Sequence, residues 1–125
     1  MTTIIVPHLP SAAPAGLRPY VAARAISPAD VTAVARLLAV ASRDGEQLQP
    51  DFPAWVAMCL ALRASRDGHT CVPLADIAAW AAGFDVPDDC PITWPANAET
   101  WRASLRTAGK LVGTPGQRLP FILDE

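Results

Sequence analysis

The sequence predicts a mainly α fold: a small bundle of four to five helices with a short β-hairpin remnant at the C-terminus. Three observations carry that expectation. Apolar residues recur at helical spacing in several separate segments, each with its own capping residue. Proline and glycine punctuate the chain between those segments. Two short apolar stretches, Lys110–Val112 and Leu119–Leu123, flank a Gly113-Thr114-Pro115-Gly116 turn near the end.

Taken in order, residues 1–19 hold Pro7, Pro10, Pro14 and Pro19. Proline fixes φ and lacks a backbone donor, so this lead is expected to be irregular, with 20–125 forming the helical domain. A short helix is expected from about Leu17 to Ala25. Ser27-Pro28-Ala29-Asp30 then starts a firm helix: Ser27 caps, Pro28 suits the first position, and Asp30 meets the positive end of the helix dipole. Val31, Val34, Ala35, Leu38 and Ala41 share one face, and Asp44-Gly45 is the expected stop.

The next helix, from about Pro53 to Ala64, carries Trp55, Val56, Met58, Cys59, Leu60 and Leu62. They point in nearly every direction, so this is the expected central element. Arg63 and Arg66 lie at its end, where positive charge complements the dipole, and Asp67-Gly68 turns the chain. Pro73 opens another helix with a stripe of Leu74, Ile77, Ala78 and Ala81, closed by Gly83. Prolines 87, 91 and 95 mark a loop. Asn97 caps a further helix with Ala98, Trp101, Leu105 and Ala108 on one face, ended by Gly109. A terminal strand with no following partner is weakly stable alone, so a longer protein is expected to continue beyond it.

Composition narrows the function classes. A chain of 125 residues, 51% apolar, builds one domain with one core. With 12 acidic and 10 basic residues the net charge is −2, without the basic excess of a large nucleic-acid footprint. Three cysteines and no secretory leader fit free thiols in a reducing compartment, so a cytoplasmic location is expected. No apolar run reaches the ~18 residues that span a bilayer, and no membrane association is expected.

Chemistry-bearing patterns are sparse. A phosphate-cradling loop needs Gly-x4-Gly-Lys-Ser/Thr, because backbone amides, a lysine and a hydroxyl must converge. Lys110, the one lysine, follows Gly109, but Ser104 stands in the first glycine's place and Leu111 in the hydroxyl's. His69 and Cys71, with Cys59 or Cys90, match no zinc spacing, and no paired Cys-x2-Cys occurs. Cys71 with His69 as base lacks an orienting carboxylate. Gly68, His69 and Cys71 are therefore read as a structural turn, His69 tying down backbone and Cys71 packing as a small apolar group. No catalytic residue, metal ligand or cofactor is expected in this chain.

Among the tryptophans, Trp101 lies on an apolar stripe and is expected in the core. Trp80 falls beside its stripe and Trp94 sits in a proline-rich loop. For both, partner contact and local packing stand equal. Asp85, Asp88 and Asp89 form an acidic loop, solvated or facing a basic patch of a partner. Trp80, Trp94, Asp88 and Asp89 are the candidate partner-binding residues.

The stretch from Trp55 to Leu74, WVAMCLALRASRDGHTCVPL, resembles a helix and turn of the N-terminal domain of the RecD subunit, the alpha chain of RecBCD-type exodeoxyribonuclease V. Its turn is Gly68-His69-Thr70-Cys71-Val72-Pro73-Leu74. Three further stretches resemble the same domain: Ile26–Val31 with Arg36-Leu37-Leu38, Trp101–Leu105 through Leu111-Val112-Gly113, and Leu119–Leu123 as the first strand of a hairpin leading into the motor. Together they span about Ile26 to Leu123; residues 1–20 find no counterpart.

The resemblance implies a 5′-to-3′ DNA helicase subunit of a heterotrimer that unwinds and degrades broken DNA ends for recombinational repair. It also implies that this chain is the docking domain, truncated before the motor and without catalysis of its own. The expected partner is the gamma (RecC-like) subunit, with the beta (RecB-like) subunit in the same assembly and DNA met only through the whole complex. The alternative is a winged helix-turn-helix that binds DNA directly, with Ala75–Ala82 as recognition helix. That segment carries Asp76 and no arginine or lysine, a poor surface for phosphates.

Overall fold

The starts of two helices in this protein follow local chemistry closely. The computed structural model describes residues 9–42, 49–69, 71–81, 92–94 and 97–124. The expected Asp44-Gly45 and Gly83 stops, the side chain of Ala78, Thr70, Cys90 and the acidic loop with Asp85, Asp88 and Asp89 lie outside them. Among these residues, a 3-10 turn at Ala15–Leu17 is followed by five helices: α1 Arg18–Ala22, α2 Pro28–Ala41, α3 Phe52–Arg66, α4 Ile77–Ala81 and α5 Ala98–Arg106. Two strands follow, β1 Val112–Gly113 and β2 Phe121–Ile122.

The start of α2 is a full capping box. The Asp30 backbone N–H donates to Ser27 Oγ at 3.2 Å, and the Ser27 N–H donates to Asp30 Oδ2 at 3.1 Å. In α5 the Thr100 N–H donates to Asn97 Oδ1 at 2.9 Å. At the segment opened by Pro73 the first turn is 3-10, Leu74–Asp76, and only then does α4 begin.

Helix α3 is the centre. Every residue from Ala54 to Leu60 is buried, which is why its sequence shows no polar face. Helices α2 and α5 pack on it, and the 3-10 turn before α4 packs on α5. Trp101 from α5 is wholly buried, as its stripe predicts, and Val31, Val34 and Leu38 face inward from α2. Leu17, from the turn before α1, is also buried in this core.

The head of α3 is closed by another part of the chain. Asp51 precedes the helix but its side chain makes no capping bond. Instead the Ala54 N–H donates to the buried Ser104 hydroxyl of α5 at 2.8 Å, and the Asp51 N–H donates to Thr107 Oγ1 at 3.1 Å.

The C-terminal strands lie where the sequence places them, but they are parallel, not a hairpin. Val112 pairs with Phe121 and Gly113 with Ile122. The Phe121 and Leu123 N–H groups donate to the Leu111 and Gly113 carbonyls at 3.0 and 2.7 Å. The reason lies in the connection. A turn at Thr114–Gln117, held by Gln117 N–H to Thr114 O at 3.1 Å, reverses the chain once. Arg118–Pro120 then carry it back, so β2 runs in the same direction as β1. This close return brings the ends of the Gln117 and Leu119 side chains against Gly113, where a β-carbon would displace them.

Candidate functional site

The turn after α3 is built from backbone. Asp67 ends the helix, Gly68 adopts φ 83°, and the His69 N–H donates to Ala64 O at 2.8 Å while the Gly68 N–H donates to Ser65 O at 3.2 Å. This six-to-one and five-to-two pair is a Schellman closure. The His69 backbone thus ties down the turn, while its exposed ring meets Trp80 edge-on, centroids 6.0 Å apart. Cys71 is exposed and does not pack as a small apolar group. Cys59, by contrast, is buried in α3; burial first, and the Asp30 carboxylate second, push its thiol up to about 12, so it stays protonated.

The two candidate tryptophans differ in what holds them. Trp80 is half-buried against exposed His69. Trp94 is half-buried against Tyr20, edge-on at 5.3 Å, and Tyr20 also meets Phe52 at 5.7 Å. The buried Tyr20 hydroxyl donates to the Thr93 carbonyl beside Trp94, and burial raises its pKa against that opposing hydrogen bond. Trp80 and Trp94 therefore meet different rings, while both pack against the same hydrophobic core.

The basic residues at the end of α3 do more than complement a dipole. Arg63 Nη1 donates to the Arg24 carbonyl at 2.6 Å and the Ala25 carbonyl at 2.9 Å, and its Nε meets Asp67 at 3.3 Å. Arg66 pairs with the buried carboxylate of Asp30 and so reaches the capping box of α2. Arg24 itself has φ 62°, a left-handed conformation that side chains disfavour. Apart from the local Arg63–Asp67 contact, none of these links was visible in the sequence, because they join residues 36 to 39 positions apart.

Among the described residues no group of three His, Cys, Asp or Glu side chains converges as a metal site. No helix there is long and apolar enough to cross a membrane. An open cleft of about 470 Å³ lies between the N-terminal segment, α2 and α3, touching Pro14, Leu38 and Trp55. Its described lining holds no ionisable side chain.

The sequence matches a known domain along most of its length. The family model for the N-terminal domain of RecD, a RecBCD enzyme subunit, matches residues 22–125. The chain belongs to the RecD N-terminal domain family. It is 34% identical over 93 residues to the RecBCD enzyme subunit RecD of Mycolicibacterium smegmatis, covering 74% of this chain. The chain spans 14% of that relative's length. No solved structure matches it.

Proposed function

We propose that this chain is the subunit-docking domain of a RecD-like 5′-to-3′ helicase subunit, acting in double-strand-break repair in the cytoplasm. In this reading residues 1–19 are a lead, 20–125 are the domain, and a motor in the longer protein supplies ATP hydrolysis. The gamma (RecC-like) subunit is the direct partner, the beta (RecB-like) subunit shares the assembly, and DNA is met through the complex. The observation that carries the reading is the extent of the likeness, residues 22–125 against the N-terminal domain of RecD. Aromatic residues left at the surface edge of the bundle, Trp80 and Trp94, support it, since such residues commonly anchor interfaces.

Two observations weigh against direct DNA readout. The segment that would enter the groove is a 3-10 turn and a five-residue helix, with Asp76 and no basic residue. The strands that would form a wing are parallel and two residues long.

Co-purification of the tagged chain with its cognate gamma subunit tests the docking reading; loss of the complex at physiological salt sinks it. Fluorescence anisotropy with duplex DNA tests the alternative, and nanomolar sequence-selective binding would establish that alternative instead.

A further inference from the structure

The last turn of α3 gathers groups from four segments. Arg63 clasps the carbonyls of Arg24 and Ala25 after α1, Arg66 meets Asp30 and Ser27 at the head of α2, and the turn at Gly68 sets the His69 ring against Trp80 of α4. Arg24, Arg66 and His69 are exposed and Trp80 is half-buried, so the corner presents two guanidinium groups and an aromatic pair to solvent. Its charges do not balance. Asp30 is matched by Arg66 and Asp67 by Arg63, while Arg24 makes no ion pair among the described residues. Arg24 also stands in the left-handed position where glycine would be easiest to accommodate.

We propose that this corner is the face through which the domain meets its partner, with Arg24 and Trp80 as anchors, and that the partner offers it a carboxylate-bearing surface. The inference rests on the docking reading and assigns its surface. Arginine and tryptophan are the residue types that most often dominate interface energetics. A guanidinium fork matches a carboxylate with two parallel hydrogen bonds, which suits the unmatched charge of Arg24. Trp80 is preferred to Trp94 because its ring partner, His69, is itself exposed, whereas the ring partner of Trp94 is the buried Tyr20.

The test measures binding of the chain to its cognate gamma subunit by calorimetry, with thermal melts alongside. Arg24→Glu is expected to weaken binding by about tenfold or more, as loss of a close charge pair does. Arg24→Gly should weaken it several-fold without lowering the melting temperature, which separates lost contact from lost fold. Trp80→Ala should weaken it by about tenfold or more. Arg36→Glu, the same charge change on an exposed residue midway along α2, serves as the control and should leave affinity unchanged. Wild-type affinity in both Arg24 variants, or an equal loss with Arg36→Glu, overturns the proposal while leaving docking intact. Failure of the wild-type chain to bind overturns the docking reading, and this assignment with it.

Discussion

Helices α1 and α3 end with the same hydrogen-bond pattern on different residues. After α1, the Ala25 N–H donates to Tyr20 O at 2.9 Å and the Arg24 N–H to Val21 O at 3.0 Å. After α3, His69 donates to Ala64 O at 2.8 Å and Gly68 to Ser65 O at 3.2 Å. Each closure needs one residue at positive φ: Arg24 at 62° and Gly68 at 83°. At Gly68 the backbone meets the requirement alone, and a β-carbon there would touch nothing within 4 Å. At Arg24 the requirement is met against local preference, and the turn is held from outside by Arg63. The contrast shows two ways to stop a helix: choose the residue that fits, or fasten the turn to a neighbour.

The fastening works only if α3 is a fixed frame. Leu60 sits fully buried in the run from Ala54 to Leu60. Its truncation removes transfer energy and leaves a cavity, so Leu60→Ala is expected to cost about 2–5 kcal/mol in thermal or denaturant unfolding. An unchanged midpoint would show that α3 is not the frame and would remove the basis of the comparison.

Next in size is the fastener. Arg63 is largely buried at its side chain and donates to two carbonyls of the α1 turn. Hydrogen bonds from a charged group contribute more than neutral ones, while water replaces part of what is lost, so Arg63→Ala is expected to cost about 1–3 kcal/mol. Amide hydrogen exchange should show the loss first at Arg24 and Ala25. Equal deprotection around Gly68 and Arg24 would mean that the two turns are not held differently.

This difference also marks what the sequence made legible. The core of α3 was plain because seven successive buried residues leave no polar stripe, and Ser27, Pro28 and Asn97 announced their helices through local bonds. Gly68 was equally plain, since glycine after a helix is the ordinary signal for a left-handed stop. Arg24 gave no such signal: its conformation is set by contacts from a distant segment. The same holds for Ser104 and Thr107, which close the head of α3 from α5, and for the Arg66–Asp30 pair. The hairpin expectation failed for a related reason. A Thr-Pro-Gly turn predicts one reversal, and the second, through Arg118–Pro120, has no local signature. Of the candidate site, the separate settings of Trp80 and Trp94 depend on His69 and Tyr20, partners that spacing along a helix does not reveal.

Gly68→Ala probes the self-sufficient turn. Alanine narrows the unfolded ensemble, which favours folding by about 0.5–1 kcal/mol, but the left-handed conformation costs an L-residue about 1–2 kcal/mol. With open space around the β-carbon, no clash adds to this. The net expectation is a loss of about 0.5–1 kcal/mol in chemical denaturation. A gain in stability would mean that the turn relaxes away from positive φ at little cost.

Arg24→Gly is the mirror experiment. Relief of the left-handed residue stabilises the folded state by about 1–2 kcal/mol, while the added freedom of the unfolded chain takes back about 0.5–1 kcal/mol. The contacts that hold the turn survive, because Arg63 bonds to main-chain carbonyls and not to the Arg24 side chain. The domain should therefore gain roughly 0.5–1 kcal/mol, opposite in sign to Gly68→Ala and similar in size. Denaturant midpoints of the two variants, measured together with wild type, give both signs in one experiment. If Arg24→Gly destabilises instead, its side chain contributes to the fold itself, and the two turns differ by more than the residue that closes them.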